Sequence, residues 1–598
     1  MKFFLLFPPI SDPRGPPLAL AALAAVLRHA GCDVVLKDLD LEMALYLLSP
    51  ATLTDHLRKA EEVLKSLAVQ SGEDDWEILA WRQKISQSID EAREVIPDIP
   101  DYLNVLRGEK FYDHAAYFTA RRSIDKALAL ICAVYDRSLQ YKMDGQFFAT
   151  RYKEHRMDEL LHAVDDAERN LFGRVYPSAV IPGIVAEKPD LVGISILNFQ
   201  QVIPGLTLAK QLKEKGLRVV IGGTVYTKFV ESLRAAPQFF TLCDAVIVYE
   251  GETALVRLIE EITKNPAQPD LQTVPNFIWL DGGNVRVNEP FIAEDISRLP
   301  CPDFSGLPLD SYLAPALVLP VNLGKGCYWN SCRFCEISYI NNLPGSSFRV
   351  KPARLIVDQL QELSERYHTP YFQLTDESCS PELLEEMADI IIARSLKLYY
   401  LCYARLEPGF TAERLKKLRQ SGLRKLMFGL ESGSDETLKK INKGITASQA
   451  ELVLKNCSEA RVNIRLFVIL GFPGETLEQA WETRNFLRRA APVLRDPLNS
   501  FEVNLFHLDS NSCYGKLSKE FDITWSGKKE GEFYLGGDRF TCTGGMDKRT
   551  LHQFAAEVRK ELYTLADVSL KHSGWEEYSL LTICHKEAMG AYGLGVRV

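Results

Sequence analysis

The 598 residues lack several features that would decide their class at once. No apolar run reaches the ~20 residues a membrane-spanning helix needs; the longest near the start covers residues 16–27. A basic surplus is missing, since 70 Lys and Arg stand against 79 Asp and Glu for a net charge of -9, so no nucleic acid is indicated as a partner. The opening MKFFLLFPPI imitates a secretory leader, but Pro8 and Pro9 break it and no small-x-small site precedes Asp12. Residues 2–7 read instead as a buried strand, and the expected location is cytoplasmic. The 13 cysteines, an odd number, then read as thiols or metal ligands rather than disulfides. With 46% hydrophobic and 25% charged residues, a disordered tail, a collagen and a disulfide miniprotein are all excluded. The length suits about three to five domains.

The fold class reads as α/β. Short apolar strands at residues 2–7, 32–37, 191–196, 218–221 and 245–249 alternate with helices such as 18–29 and 200–215. Parallel strands need crossovers and cover on both faces, so this pattern predicts a doubly wound, Rossmann- or flavodoxin-like sheet across residues 1–264. Its ligands would sit beyond the carboxyl ends of the strands. Residues 43–176 interrupt it with helical periodicity and little Gly or Pro, a helical insertion that acts as a cap, an oligomerisation face or a substrate-shaping lid. Residues 265–315 read as a linker with a small hairpin, 276–280 and 284–288 around Asp281-Gly282-Gly283. Six further βα units follow in residues 316–508, predicting a partial (β/α)6 barrel of the TIM type with its chemistry on loops at the strands' carboxyl ends. Residues 509–598 form a C-terminal α/β extension with one clear helix at 548–566.

Directly after the first barrel strand comes GKGCYWNSCRFCEIS, with Cys327, Cys332 and Cys335 spaced C-x4-C-x2-C. Structural cysteines have no reason to cluster at a strand end, so a metal is the economical reading. Zinc usually shows its fourth ligand in sequence, and no second pair follows; Cys379 stands alone. Three thiolates on an iron–sulfur cubane would leave one iron open for an external ligand. Charged and polar residues collect at the same predicted rim: Asp376 and Glu377 after strand two, Arg405 after strand three, Glu431 and Ser432 after strand four, Glu475 after strand five. For each, the alternative is a rim salt bridge.

Together these segments resemble the radical S-adenosylmethionine (SAM) superfamily. Residues 298–303 look like its approach to the domain, GLESGSDETLKKINKG (429–444) its fourth-strand segment, and GFPGET (471–476) its fifth. The Cys327–Cys332 interval is one residue longer than the superfamily's common C-x3-C-x2-C. The resemblance implies a [4Fe-4S] cluster on Cys327, Cys332 and Cys335, with SAM held by Phe334, Asp376, Glu377, Arg405, Glu431, Ser432, Gly471 and Glu475. It also implies reductive cleavage of SAM to a 5′-deoxyadenosyl radical and an electron donor such as flavodoxin or ferredoxin.

The N-terminal sheet resembles the cobalamin-binding domain found ahead of many radical SAM domains. Ser195 and Leu197 match its S-x-L element, Gly222 and Gly223 its G-G pair, and Glu250, Gly251 and Glu252 the segment after strand five. No D-x-H-x-x-G follows strand two, where KDLDLEMA stands, so the implied cobalamin is base-off without a protein imidazole. The expected function is a cobalamin-dependent radical SAM enzyme (class B radical SAM methyltransferase-like) that methylates an unactivated carbon of a peptide, lipid or small metabolite. The alternatives are a radical SAM enzyme with an empty N-terminal sheet, performing rearrangement, cyclisation or coupling, and a non-catalytic iron–sulfur or zinc protein.

Overall fold

The computed structural model describes all residues except 71–75, 144–146, 341–347, 527–535, 538, 566–578 and 591–598. The chain forms two compact units, one built from Met1–Glu294 with Pro300–Leu317, the other mainly from Val318 onward.

The first unit is a seven-stranded sheet of β1 (Lys2–Phe7), β2 (Asp33–Asp38), β3 (Leu191–Ser195), β4 (Val219–Gly222), β5 (Ala245–Ile247), β6 (Phe277–Asp281) and β7 (Asn284–Val287). Its order is β2-β1-β3-β4-β5-β6-β7, parallel as far as β5. Short strands of continuous apolar residues suit a sheet covered on both faces, and Phe3, Phe4 and Leu6 are fully buried. The hairpin expected in a linker is not a connector: β6 pairs antiparallel with β5, and β7 with β6. Phe277, Ile278 and Trp279 are buried there, and the pairing covers an edge that β5 would otherwise leave open.

The insertion is helical, as its periodicity predicts. Helices Pro50–Gln70, Trp76–Val95 and His114–Tyr135 share a core of Ala60, Ile85, Ile89, Ala92, Leu130 and Ala133, and the 85/89/92 spacing marks one helical face. A short hairpin, Gln140–Lys142 with Phe147–Ala149, was not foreseen.

The second unit sets six parallel strands in chain order: β8 (Val318–Val321), β9 (Tyr371–Leu374), β10 (Tyr399–Ala404), β11 (Leu423–Glu431), β12 (Asn463–Leu470) and β13 (Ser500–Leu505). Sequential order with an intervening helix each time is the connectivity of a partial (β/α) barrel. Thr446 with Gln449 and Thr476 with Gln479 form capping boxes that start the helices after β11 and before β13. The helix Ser579–Ala588 carries Glu587 in its last turn, which pairs with Arg424 at 2.9 Å and with Arg419. Among the described residues no helix is long and apolar enough to cross a membrane.

Gly223 follows β4 with φ +118°, and a Cβ there would lie 2.0 Å from the Ile196 carbonyl oxygen. Gly223→Ala is therefore expected to destabilise the first unit by more than about 2 kcal/mol. The measurement is urea unfolding of the full chain, with a lowered midpoint as the expected result.

Candidate functional site

The cysteine loop has little secondary structure of its own, so its position depends on what grips it. Past β9, the buried Asp376 accepts hydrogen bonds from the backbone nitrogens of Leu323 and Gly324, at 2.8 and 2.6 Å. A two-residue antiparallel ladder, Gly324–Lys325 with Arg349–Val350, then frames the loop.

The far end of the loop is laced to the turn after the first helix beyond β11. Arg333 donates from its backbone nitrogen to the Ile441 carbonyl at 3.0 Å and from Nη1 to the Lys440 carbonyl at 2.7 Å. Trp329 Nε1 donates to the Asn442 carbonyl at 2.8 Å, and Asn442 Nδ2 returns a bond to the Ser331 carbonyl at 2.9 Å. Arg405 Nη2 donates to the Lys443 carbonyl at 2.5 Å while its guanidinium lies 4.5 Å over the Trp329 ring. The carbonyls of residues 440–443 thus all point at the loop or at the arginine stacked on it.

The electrostatics of the site follow from burial. Lys443 Nζ donates to Glu431 Oε1 at 2.8 Å, both side chains being almost inaccessible. Burial works against the Lys443 charge, but Glu431 and the neighbouring Cys332 outweigh it and hold the ammonium's pKa above its ordinary value. Removing one partner of such a pair costs about 3–5 kcal/mol. Burial raises the Cys332 thiol, with Lys443 and Arg405 pulling the other way, and pushes Cys335 up to about 12. Metal binding reverses this by releasing the thiol protons.

Most of the carboxyls and hydroxyls expected at the rim are already engaged within the protein. Asp376 holds backbone, and burial pushes its pKa up to about 7. Glu431 holds Lys443, at a left-handed φ of 66°. Ser432 exchanges a 2.9 Å hydrogen bond with Thr483. Glu475 Oε2 accepts from the Gly471 nitrogen at 2.5 Å, while among the described residues its buried Oε1 has no hydrogen-bond partner, and burial pushes its pKa up to about 7. Gly471 is closed over by Leu551 of the helix Lys548–Leu565, not left open to a ligand. Glu377 is exposed. Phe334 is half-buried with its ring 5.3 Å from Phe472, which lies 5.2 Å from Phe506.

Several participants carried no recognised signal. Lys443 and Trp329 lie within residues 429–444 and the cysteine segment but read there as ordinary turn and loop residues, and Tyr328 donates to Glu407 Oε1 at 2.5 Å. Cys379, which the sequence leaves standing alone, is buried against Cys402. All thirteen cysteines are free thiols. Among the described residues no three His, Cys, Asp or Glu side chains close around a single metal-ion position.

In the first unit, Ser195 pairs in register with Gly222 at the carboxyl ends of β3 and β4. Among the described residues the Ser195 hydroxyl takes no hydrogen bond, and Leu197 beside it is 38% exposed. Gly222 and Gly223 run past Ile196, whose nitrogen donates to the Gly222 carbonyl at 2.8 Å. Glu250 is buried and accepts from the Glu294 nitrogen at 2.6 Å, Gly251 caps the helix Glu252–Lys264, and Glu252 is buried in its first turn. After β2, Asp38 accepts from Tyr312 Oη at 2.8 Å and burial pushes its pKa up to about 7.

Residues 321–487 match the Radical SAM superfamily. The chain is 26% identical over 309 residues to an uncharacterized methyltransferase of Pyrococcus horikoshii, covering 50% of this chain and 64% of that protein. It is 24% identical over 316 residues to the anaerobic magnesium-protoporphyrin IX monomethyl ester cyclase of Rubrivivax gelatinosus, covering 51% and 55%. The chain thus spans less than two thirds of the length of these curated relatives. Among solved structures, the radical SAM methyltransferase TsrM of Kitasatospora setae, with cobalamin and a [4Fe-4S] cluster bound, aligns over 98% of this chain and 99% of its own, at 13% identity and a TM-score of 0.53. The cobalamin-dependent radical SAM enzyme OxsB, with aqua-cobalamin bound, aligns over 70% and 69% at 19% identity and a TM-score of 0.51. At these identities the likeness is one of fold.

Glu475 gives the site a pH signature. A carboxyl raised from 4.5 to about 7 on folding binds its proton more tightly in the folded than in the unfolded chain. Its contribution to stability is complete below the unfolded value and is lost as pH rises through the window up to about 7. Glu475→Gln should remove that share of the pH dependence, amounting to no more than about 3 kcal/mol. The check is the thermal midpoint of the metal-free protein from pH 4.5 to 8, with the variant gaining on the wild type toward the alkaline end.

Proposed function

From a chain whose residues 321–487 form a radical SAM domain, we propose a cobalamin-dependent radical SAM enzyme that transfers a methyl group to an unactivated carbon. The observation that carries this reading is the cysteine loop. It presents three unbridged thiols on a segment fixed at both ends, with two buried cations, Lys443 and Arg405, against it. Three thiolates and adjacent cations are a donor set that suits an anionic iron–sulfur cluster with one iron left for an outside ligand.

In this reading Cys327, Cys332 and Cys335 bind the irons, while Phe334, Phe472 and Phe506 form an aromatic row that keeps water from the reacting centre. The exposed Glu377 and the guanidinium of Arg405 are the charged groups that orient a zwitterionic ligand. Asp376, Ser432 and Glu431 act one step back, by fixing the loops that carry those groups. In the first unit, the unpartnered Ser195 hydroxyl and the exposed Leu197 give a polar and an apolar contact at the strand ends where a cobalamin tail would lie. When bound, a [4Fe-4S] cluster, SAM and cobalamin supply one-electron cleavage of a sulfonium and a transferable methyl group. The substrate is a peptide, a lipid or a small metabolite, and the electrons come from a flavodoxin- or ferredoxin-type donor.

Anaerobic reconstitution with iron, sulfide and cobalamin tests the reading. The wild type, reduced with SAM present, should form 5′-deoxyadenosine and release a corrinoid on denaturation, whereas Cys332→Ala should fall to the enzyme-free background. Nucleoside formation by Cys332→Ala at the wild-type rate would overturn the assignment of the cluster. Nucleoside formation without retained corrinoid would move the function to a cobalamin-free radical reaction.

A further inference from the structure

We infer that the buried Lys443–Glu431 ion pair sets the reduction potential of the cluster carried by Cys327, Cys332 and Cys335. Lys443 is then a positioning residue for charge, and the inference rests on the function proposed above. Three thiolates make the cluster anionic, and reduction adds one more negative charge beside an ion pair that is itself buried. A fixed cation nearby favours the reduced form there more than it would in solvent.

The geometry ties that cation to the loop from several sides. Lys443 Nζ lies 5.9 Å from the centre of the Phe334 ring, which stands between the second and third cysteines. The Lys443 carbonyl takes the Arg405 guanidinium at 2.5 Å, and Arg405 stacks at 4.5 Å on Trp329, which stands between the first and second.

The pair is also built to stay where it is. Gly429 of β11 leaves the space it occupies, since a Cβ there would lie 2.9 Å from Lys443 Nζ and closer still to the Glu431 carboxylate. Lys443 and Glu431 are each 7% exposed, so neither charge is screened by salt. A surface ion pair at this distance would carry no such weight. Here the partners are opposed: Lys443 raises the potential and Glu431 tempers it.

The test is a redox titration of the reconstituted full chain without SAM, using Ti(III) citrate as reductant and the EPR signal of the reduced cluster as the readout. Lys443→Met should lower the midpoint by at least a tenfold shift in the reduction equilibrium, 59 mV for one electron. Lys443→Arg should restore the wild-type value, and Glu431→Gln should raise it. Opposite shifts from the two partners are not what a merely structural role gives. If Lys443→Met assembles no cluster, the direction of the Glu431→Gln shift decides. A midpoint unchanged in Lys443→Met, or unchanged or lowered in Glu431→Gln, overturns the inference while leaving the proposed function standing. A wild-type chain that takes up no iron–sulfur cluster overturns both.

Discussion

A loop that carries three thiols and almost no secondary structure can hold a metal only if something else fixes it, and in this protein that is the row of backbone carbonyls from Lys440 to Lys443. Arg333, Trp329 and Arg405 all donate into this row. Asp376 secures the other side of the loop through two backbone amides. Each such bond is worth only about 1 kcal/mol net, but together they fix the loop at both ends, and an unfixed loop would have to be ordered by the metal at its own entropic cost. The fourth-strand segment therefore acts as the mould of the cysteine loop.

The barrel's acidic residues show how position decides role. Three carboxyls at the ends of β9, β11 and β12 have different fates: Asp376 holds backbone, Glu431 holds a lysine, and Glu475 keeps one buried oxygen without a partner among the described residues. Burial pushes the first and third toward neutrality, outweighing the opposite pull of Lys351 on Asp376 and of Lys440 on Glu475. A strand end brings polar groups to one rim, but neighbouring backbone often claims them first.

Much of this was legible in the sequence, and the reasons are local. Residues 2–7, 18–29 and 463–470 coincide with β1, the helix Leu18–His29 and β12, because apolar runs bounded by Gly or Pro carry their own period. Edge pairing carries no such signal. The hairpin at Phe277–Val287 reads correctly as two strands, yet its union with β5 depends on an edge elsewhere in the chain. Lys443 was opaque for the same reason: a lysine before glycine reads as a solvated turn, and only the fold brings it against Glu431 across the space left by Gly429. Asp376 and Ser432 were recognisable as polar residues at strand ends, but their partners, two backbone amides and Thr483, were not.

The most direct test of the central claim is Mössbauer spectroscopy of the anaerobically reconstituted protein, with and without SAM. Three thiolates and one open corner predict that about a quarter of the iron changes its signal when SAM is added while the rest does not. A protein that binds zinc in place of iron, or a cluster whose irons all ignore SAM, would contradict the account.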